Sequence, residues 1–185
     1  KKLNLYLLLV LLSVFVYAQK TWDGGAGTNN WADGDNWNNN DVPQNGDNVT
    51  IDADDSVVVS TVITALIVDI FILDGGVLNI VEGGSLKTWH KSNKNWEDGD
   101  IDIGSGGKLY LTGGTLSIDD DLNVTDMGSR VIVSSGQLSI ADKSKIENDG
   151  IMVIDEDAQV EMGDVLTIRD AELVIAGNLT ITGNK

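Results

Sequence analysis

The chain has no cysteine, one histidine and one proline among its 185 residues, and aromatic side chains make up only 5% of it. The lack of cysteine excludes disulfide bonds and any site built on a thiolate. A single histidine gives no basis for a serine–histidine–aspartate catalytic site. We therefore expect the stacking of strands to stabilise the fold, with bound cations as a further contribution.

Positive charge is also scarce, with 12 lysines and arginines against 29 acids and a net charge of −17. All 29 acids but only 10 of the 12 basic residues follow residue 18, so that part of the chain carries −19. Nucleic acid is excluded as a partner because phosphate binding needs a basic face, and anionic lipid surfaces are disfavoured. The two arginines, Arg130 and Arg169, give polysaccharide elimination no well-placed base. We therefore predict no catalytic residue.

Residues 1–18 have the pattern of a signal peptide. Lys1 and Lys2 precede a mostly apolar stretch that is too short for a comfortable membrane span. We predict cleavage after Ala18, and an uncleaved anchor is the alternative. The expected protein is secreted or held at the cell surface, and its mature chain does not insert into a membrane.

Apolar pairs recur from about residue 57 to residue 181, with roughly one cycle of three pairs every 20 to 24 residues. The two members of a pair are two residues apart, so they point to one face of a strand. Turn formers such as Gly75-Gly76 and Gly113-Gly114 separate the pairs. The first predicted column contains Val57/Val59, Leu78/Ile80, Ile101/Ile103, Leu122/Val124, Ile146 and Leu166/Ile168. The second contains Leu66/Val68, Leu86, Leu109/Leu111, Val131/Val133, Met152/Ile154 and Leu173/Ile175. The third contains Ile70/Ile72, Leu116/Ile118, Leu138/Ile140, Val160/Met162 and Leu179/Ile181.

Three short strands and three turns per cycle describe one coil of a β-helix that stacks on the next at about 4.8 Å. We predict an all-β, right-handed parallel β-helix (β-solenoid) over residues 53–185, behind a loop-rich cap over residues 19–52. The handedness follows from the general preference of parallel crossovers. An antiparallel sandwich of short strands is the alternative. We also expect further coils or domains beyond residue 185.

Three of the five tryptophans lie in the predicted cap, where they would cover the open end of the core. The cap reads Trp22-Asp23-Gly24-Gly25, then Asn30-Trp31, Asn36-Trp37 and Val42-Pro43, and closes with Gly46-Asp47-Asn48-Val49-Thr50-Ile51. This order resembles the opening of bacterial cell-surface β-helix proteins and of G8-type domains. The resemblance implies an exported protein of adhesin, stalk or polysaccharide-processing type, and it carries over no catalytic residue.

Acids mark the predicted turn from the third to the first column. They are Asp74, Glu97, Asp98, Asp100, Asp119, Asp120, Asp121, Asp142 and Asp164. Stacked coils would hold these carboxylates about 5 Å apart, where they repel unless they splay into water or share a hard cation. We name Asp98, Asp119, Asp120, Asp121, Asp142 and Asp164 as candidate calcium ligands. The alternative is that these acids are ordinary turn residues.

The repeat fails once, between Leu86 and Ile101, in a segment that carries the only basic cluster, the sole histidine and the other two tryptophans. Insertions in solenoids map to loops on one face, often the binding face. The candidate glycan-binding residues are Trp89, His90, Lys91, Lys94 and Trp96. In the alternative reading, the tryptophans fold back over the solenoid. The expected function is a non-catalytic surface adhesin or stalk whose partners are extracellular glycans or cell-surface components. The runner-up is an accessory part of a secreted polysaccharide lyase or hydrolase, and a lyase or hydrolase in its own right is a third reading.

Overall fold

The computed structural model describes residues 19–90 and 99–183, which form an all-β parallel β-solenoid of about six turns. The predicted fold class is confirmed. The predicted signal peptide over 1–18 lies outside the described residues, as do Lys91, Lys94, Trp96 and Asp98. The described residues contain almost no helix, with two single 3-10 turns at Gly34–Asn36 and Asn38–Asn40.

Fifteen strands form two parallel sheets. The first-column sheet has seven strands in the order β1, β2, β4, β7, β9, β11, β13. These strands span Gln19–Thr21, Asn48–Ile51, Ile70–Ile72, Ile101–Ile103, Leu122–Val124, Ser144–Glu147 and Leu166–Arg169. The second sheet contains β3 (Ser56–Val59), β5 (Val77–Val81), β6 (Ser85–Lys87), β8 (Lys108–Ile118), β10 (Arg130–Ile140), β12 (Ile151–Met162), β14 (Glu172–Ile175) and β15 (Asn178–Ile181).

Strands pair in register from coil to coil, so equivalent residues stack. Ile70 pairs with Ile101, and Ile101 pairs in turn with Leu122. Burial alternates along each strand, as in β8, where Leu109 and Leu111 are buried and Tyr110 is only partly buried. The inward residues of all the coils form one continuous hydrophobic core.

The second and third columns are fused in the middle coils. β8, β10 and β12 are 11 or 12 residues long, and each supplies an inward pair to both columns. The pairing of β10 shifts register between Val133 and Ser135, where the strand bends through a bulge. The three predicted columns are therefore present, but two of them lie on one bent strand rather than on two strands joined by a turn.

The predicted column assignment is wrong before residue 100. Val57/Val59 and Leu78/Ile80 stack under Leu109/Leu111, so they belong to the second column. Ile70/Ile72 stacks on Ile101/Ile103 and belongs to the first. The reason is that the third column is weak in the early coils. Leu86 is followed there by the polar inward residue Thr88, and the coil before it makes only isolated bridges. The repeat period, extended backwards from the later coils, therefore assigned these early pairs to the wrong column.

The first column extends into the segment predicted as the cap, because β1 pairs with β2 and β2 pairs with β4. Trp22, Trp31 and Trp37 are at most 4% exposed and belong to the core cluster. Trp22 and Trp31 each meet Trp37 edge to face, with ring centroids 5.0 and 4.9 Å from it. The Trp37 indole N–H donates to the carbonyl of Trp31 at 2.8 Å. The tryptophans thus cover the N-terminal end of the core, and the polar edge of Trp37 is satisfied.

After β1, one described inward position of the first column is polar. Ser144 stacks between Leu122 and Leu166, is 1% exposed, and its hydroxyl has no hydrogen-bond partner among the described residues. A buried, unpaired hydroxyl destabilises a fold, and valine at this position would add apolar contact instead.

We expect Ser144→Val to raise the free energy of unfolding by about 1–2 kcal/mol, measured by urea unfolding. Ser139→Val makes the same change at an outward position of β10 and should give a smaller gain. A loss of stability in Ser144→Val would show that the serine hydroxyl is satisfied or that the site has no room for a methyl group.

Candidate functional site

Acids line the turn that leads into each first-column strand, and we call this file the aspartate ridge. Its described members are Asp47, Asp69, Asp100, Asp119, Asp120, Asp121, Asp142 and Asp164. The register that stacks the strands also stacks the residues before them, so Asp69, Asp100 and Asp121 follow one another along the ridge. The predicted third-to-first acidic turn therefore exists.

The inner acids of the ridge bind the backbone of the neighbouring coil. A carboxylate oxygen of Asp69 accepts hydrogen bonds from the N–H groups of Gly99 and Asp100, at 2.9 and 3.2 Å. Asp100 accepts from the N–H of Asp121 at 2.9 Å, and Asp121 accepts from the N–H of Lys143 at 2.9 Å. Each carboxylate therefore satisfies a backbone donor one coil along, which joins the coils at this corner.

Stacking these acids changes their protonation. Burial raises the pKa of Asp100 to about 7, despite the hydrogen bond from the N–H of Asp121, and the charges of Asp120 and Asp102 raise it further. Burial also raises the pKa of Asp102, against a hydrogen bond from Asn123. For Asp120, burial and then the charge of Asp121 raise the pKa, and His90 opposes them. The ridge holds like charges in partly desolvated positions.

Three ridge acids converge closely enough to hold a metal ion. One oxygen from each of Asp120, Asp121 and Asp142 lies within 4.8 Å of the others. Lysines flank this cluster, because Lys143 pairs with Asp142 at 3.2 Å and Lys145 with Asp121 at 3.8 Å. Hard cations such as calcium accept this kind of oxygen set. The other candidate ligands lie on either side: Asp119 contacts Lys87, and Asp164 donates its N–H to the carbonyl of Asp142.

Asp74, which the sequence placed on this ridge, lies instead in the turn between the first and second columns. That turn is acidic for a different reason. Asp54, Asp74, Asp149 and Asp170 all have φ between 49° and 64°, the left-handed region in which aspartate is tolerated better than most residues. The ordinary turn explanation therefore applies to these acids.

The neck of the insertion is fixed to the ridge. The hydroxyl of Thr88 donates to the carbonyl of Gly99 at 2.6 Å and accepts from the N–H of Asp119 at 3.0 Å. His90 Nδ1 lies 3.2 Å from a carboxylate oxygen of Asp120, and the backbone N–H of His90 donates to Asp119. Among the candidate glycan-binding residues, Trp89 and His90 are described and half-buried. His90 faces the acids, so the insertion begins on the ridge.

Two ridge residues were missed from the sequence, namely Asp47 and Asp69, each 8% exposed. A signal for Asp69 was present. Asp69-Ile70-Phe71-Ile72, Asp100-Ile101-Asp102-Ile103 and Asp121-Leu122-Asn123-Val124 share an aspartate directly before an inward pair. Because Ile70/Ile72 was assigned to the third column, Asp69 was not aligned with Asp100 and Asp121.

The groups that the sequence offered for polysaccharide elimination lie apart on the described solenoid. Arg130 begins β10 in the second column, away from Asp119 to Asp121 on the ridge. A hollow of about 340 Å³ on the third-column side is lined by Gln137, Gln159 and Glu161 among others, and it has one carboxylate rather than the pair that glycoside hydrolysis uses. Within the described ranges, no helix has the length and apolar character to cross a membrane.

Comparisons of this chain with protein-family models, curated proteins and solved structures found no match. The solenoid fold therefore rests on the chain's own structure, and the likeness of the tryptophan-rich segment to surface β-helix proteins stays a prediction.

The pKa of Asp100 predicts a pH-dependent stability. The folded protein holds the proton more tightly than the unfolded chain, whose value is 3.8, so the stabilising contribution is complete below about pH 4 and is lost as the pH rises through 7. Asp100→Asn keeps an oxygen acceptor for the Asp121 N–H without a charge. We expect it to raise the free energy of unfolding at pH 8 by roughly 1–2 kcal/mol, after allowing for solvent screening, and to change it little at pH 4.

Asp164→Asn is the control for this measurement, since it also removes one negative charge from the ridge and reports the general effect of charge removal. Urea unfolding at the two pH values gives both results. Destabilisation by Asp100→Asn at pH 8 would contradict the proposed protonation of the ridge.

Proposed function

We propose that this protein is a non-catalytic extracellular scaffold, an adhesin or stalk that displays binding surfaces along a solenoid. The observation that carries the proposal is the packing of the inward apolar residues into one continuous core through about six turns, with acidic ridges along the outside. Such an arrangement suits display along a length rather than chemistry in a cleft. The predicted signal peptide and the resemblance of residues 22–51 to surface β-helix proteins support export.

The insertion is the proposed glycan-binding element. Its described base is held by Thr88 and by the His90–Asp120 pair, so the segment starts from a fixed point on the solenoid. Tryptophan and lysine are suited to stacking on sugar rings and to pairing with sugar carboxylates. We retain Trp89, His90, Lys91, Lys94 and Trp96 as the proposed site.

Calcium is the proposed ligand of the ridge. The convergence of Asp120, Asp121 and Asp142 supports it, because three carboxylates in partly buried positions repel until a cation or protons neutralise them. Sites of this kind in extracellular modules bind calcium with dissociation constants on the order of 0.1–1 mM. The proposed calcium would then stabilise the ridge of an exported protein.

The adhesin proposal predicts binding without turnover. Beads coated with the protein should bind a subset of immobilised glycans, and the glycan chains should keep their length after long incubation. Trp89→Ala/Trp96→Ala should weaken this binding at least about tenfold, because truncating an aromatic hot-spot residue costs about 2 kcal/mol or more and about 1.4 kcal/mol is tenfold. Phe71→Ala removes an outward aromatic residue of β4, away from the insertion, and serves as the control.

Shortened glycan chains would instead favour the polysaccharide-degrading alternative. An absence of binding to every glycan tested would remove the glycan-binding part of the proposal.

The calcium proposal predicts a thermal shift. Calcium at 10 mM should raise the unfolding midpoint by several degrees relative to chelator at equal ionic strength, since an ion that binds only the folded state stabilises it by about 1–3 kcal/mol at 10–100 times its dissociation constant. Asp120→Asn/Asp142→Asn should abolish the rise. Asp149→Asn/Asp170→Asn makes the same charge change on the other acidic turn and should retain it; equal shifts in both variants would reject a specific ridge site.

A further inference from the structure

One patch of the solenoid surface lacks acids. It is formed by the first two outward residues of each of β5, β8, β10 and β12, and we call it the second-column face. Its residues are Val77, Asn79, Lys108, Tyr110, Arg130, Ile132, Ile151 and Val153. In a chain with 29 acids and 12 basic residues, these eight positions hold two cations and no carboxylate.

The two cations are direct neighbours. Lys108 and Arg130 are register partners on adjacent parallel strands, so their backbones are about 5 Å apart. Five other lysines and arginines of the described chain form salt bridges, namely Lys20, Lys87, Lys143, Lys145 and Arg169. Lys108 and Arg130 have no acid within 4.0 Å among the residues that the structure describes. Two like charges are therefore stacked without a counter-charge, which favours the binding of an anion between them.

The neighbouring turns add to this charge pattern. In the three residues that precede each second-column strand, an acid occurs before β3, β5, β12 and β14. The equivalent residues are Ser105-Gly106-Gly107 before β8 and Met127-Gly128-Ser129 before β10. The turn before β8 therefore has no acid, and the acid of the turn before β10, Asp126, lies four residues before Arg130.

The residues beside the cations form a platform. Tyr110 lies two residues after Lys108 on the same face, half-buried, next to Ile132 on the adjacent strand. On the other side Asn79 is the register partner of Tyr110. Its Oδ1 accepts a hydrogen bond from the hydroxyl of Thr112 at 3.1 Å, which orients the amide and leaves its NH₂ group as a donor without a partner among the described residues.

We propose that the second-column face binds a carboxylated sugar. The carboxylate would lie between Lys108 and Arg130, the apolar side of the ring would pack on Tyr110, and a hydroxyl would accept from Asn79. An acidic peptide fits less well, because β8 and β10 are interior strands whose backbone groups are already paired on both sides, which rules out strand addition. Glu172 and Asp155 flank the face, so the bound segment is short.

This site is separate from the insertion and from the ridge. A negative binding result at this face therefore does not contradict the proposed adhesin function or the proposed calcium site. Negative results for those two proposals likewise do not contradict this site. The ligand class follows from the local charge and the aromatic platform rather than from the net charge of the chain, since at physiological salt charges more than about 8 Å away are largely screened.

The test uses the purified protein and a linear tetrasaccharide of hexuronic acid, with its neutral methyl ester and a tetraglutamate peptide as comparison probes, in titration calorimetry. We expect saturable binding of the acidic sugar that weakens as salt is raised, and no measurable binding of the ester. Lys108→Gln/Arg130→Gln should weaken binding about tenfold or more, and Tyr110→Val should weaken it several-fold. The control Lys143→Gln/Lys145→Gln removes the same charge from the ridge and should bind within about twofold of the parent.

Three results would overturn the proposal: no saturable binding of the acidic sugar, an equal loss in both double variants, or tighter binding of the peptide than of the sugar. All substituted side chains of the site point outward, and an unchanged unfolding midpoint confirms that each variant is folded.

Discussion

In-register stacking of inward apolar residues governs this molecule. Each strand hydrogen-bonds to its equivalent one coil away, so an inward position has to be apolar in coil after coil to keep the core continuous. The described exceptions are each local. Lys20 lies at the N-terminal end and reaches Asp41, Thr88 binds the neck of the insertion, and Ser144 is buried without a partner. The same stacking aligns the turns, so that any residue type that recurs in a turn becomes a file along the surface.

The two acidic files show that one residue type can serve two physical roles in the same repeat. Between the first and second columns, aspartate occupies left-handed backbone positions, and its conformational tolerance explains its presence. On the aspartate ridge, the carboxylates accept backbone hydrogen bonds from the next coil and are partly desolvated as a result. The ridge arrangement raises the pKa of Asp100 to about 7 and gathers oxygens of Asp120, Asp121 and Asp142 within reach of a cation. Acidity along the sequence is therefore not a measure of function until the backbone conformation and the hydrogen-bond partners are known.

The scaffold also distributes its few cations unequally. Most described lysines and arginines form ion pairs with nearby acids. These pairs reduce the repulsion among the surface acids. Lys108 and Arg130 lie instead as register partners among outward residues without acids. A repeat that copies each surface position along its length makes such a local departure easy to recognise, because every coil provides the comparison for its neighbours.

The sequence alone determined the solenoid, since pairs with a spacing of two, separated by glycine-rich turns, bury one face only if coils stack. It also placed Asp119, Asp120, Asp121, Asp142 and Asp164 in one turn, because after residue 100 every column is strongly apolar. It misplaced Asp74 and missed Asp69, because the early third column is weak and periodicity fixes spacing without fixing phase. The tertiary structure alone decided the rest. Hydrogen-bond register selected which pairs stack, and that choice set which carboxylates meet, how deeply Asp100 is buried and where Lys108 and Arg130 become neighbours.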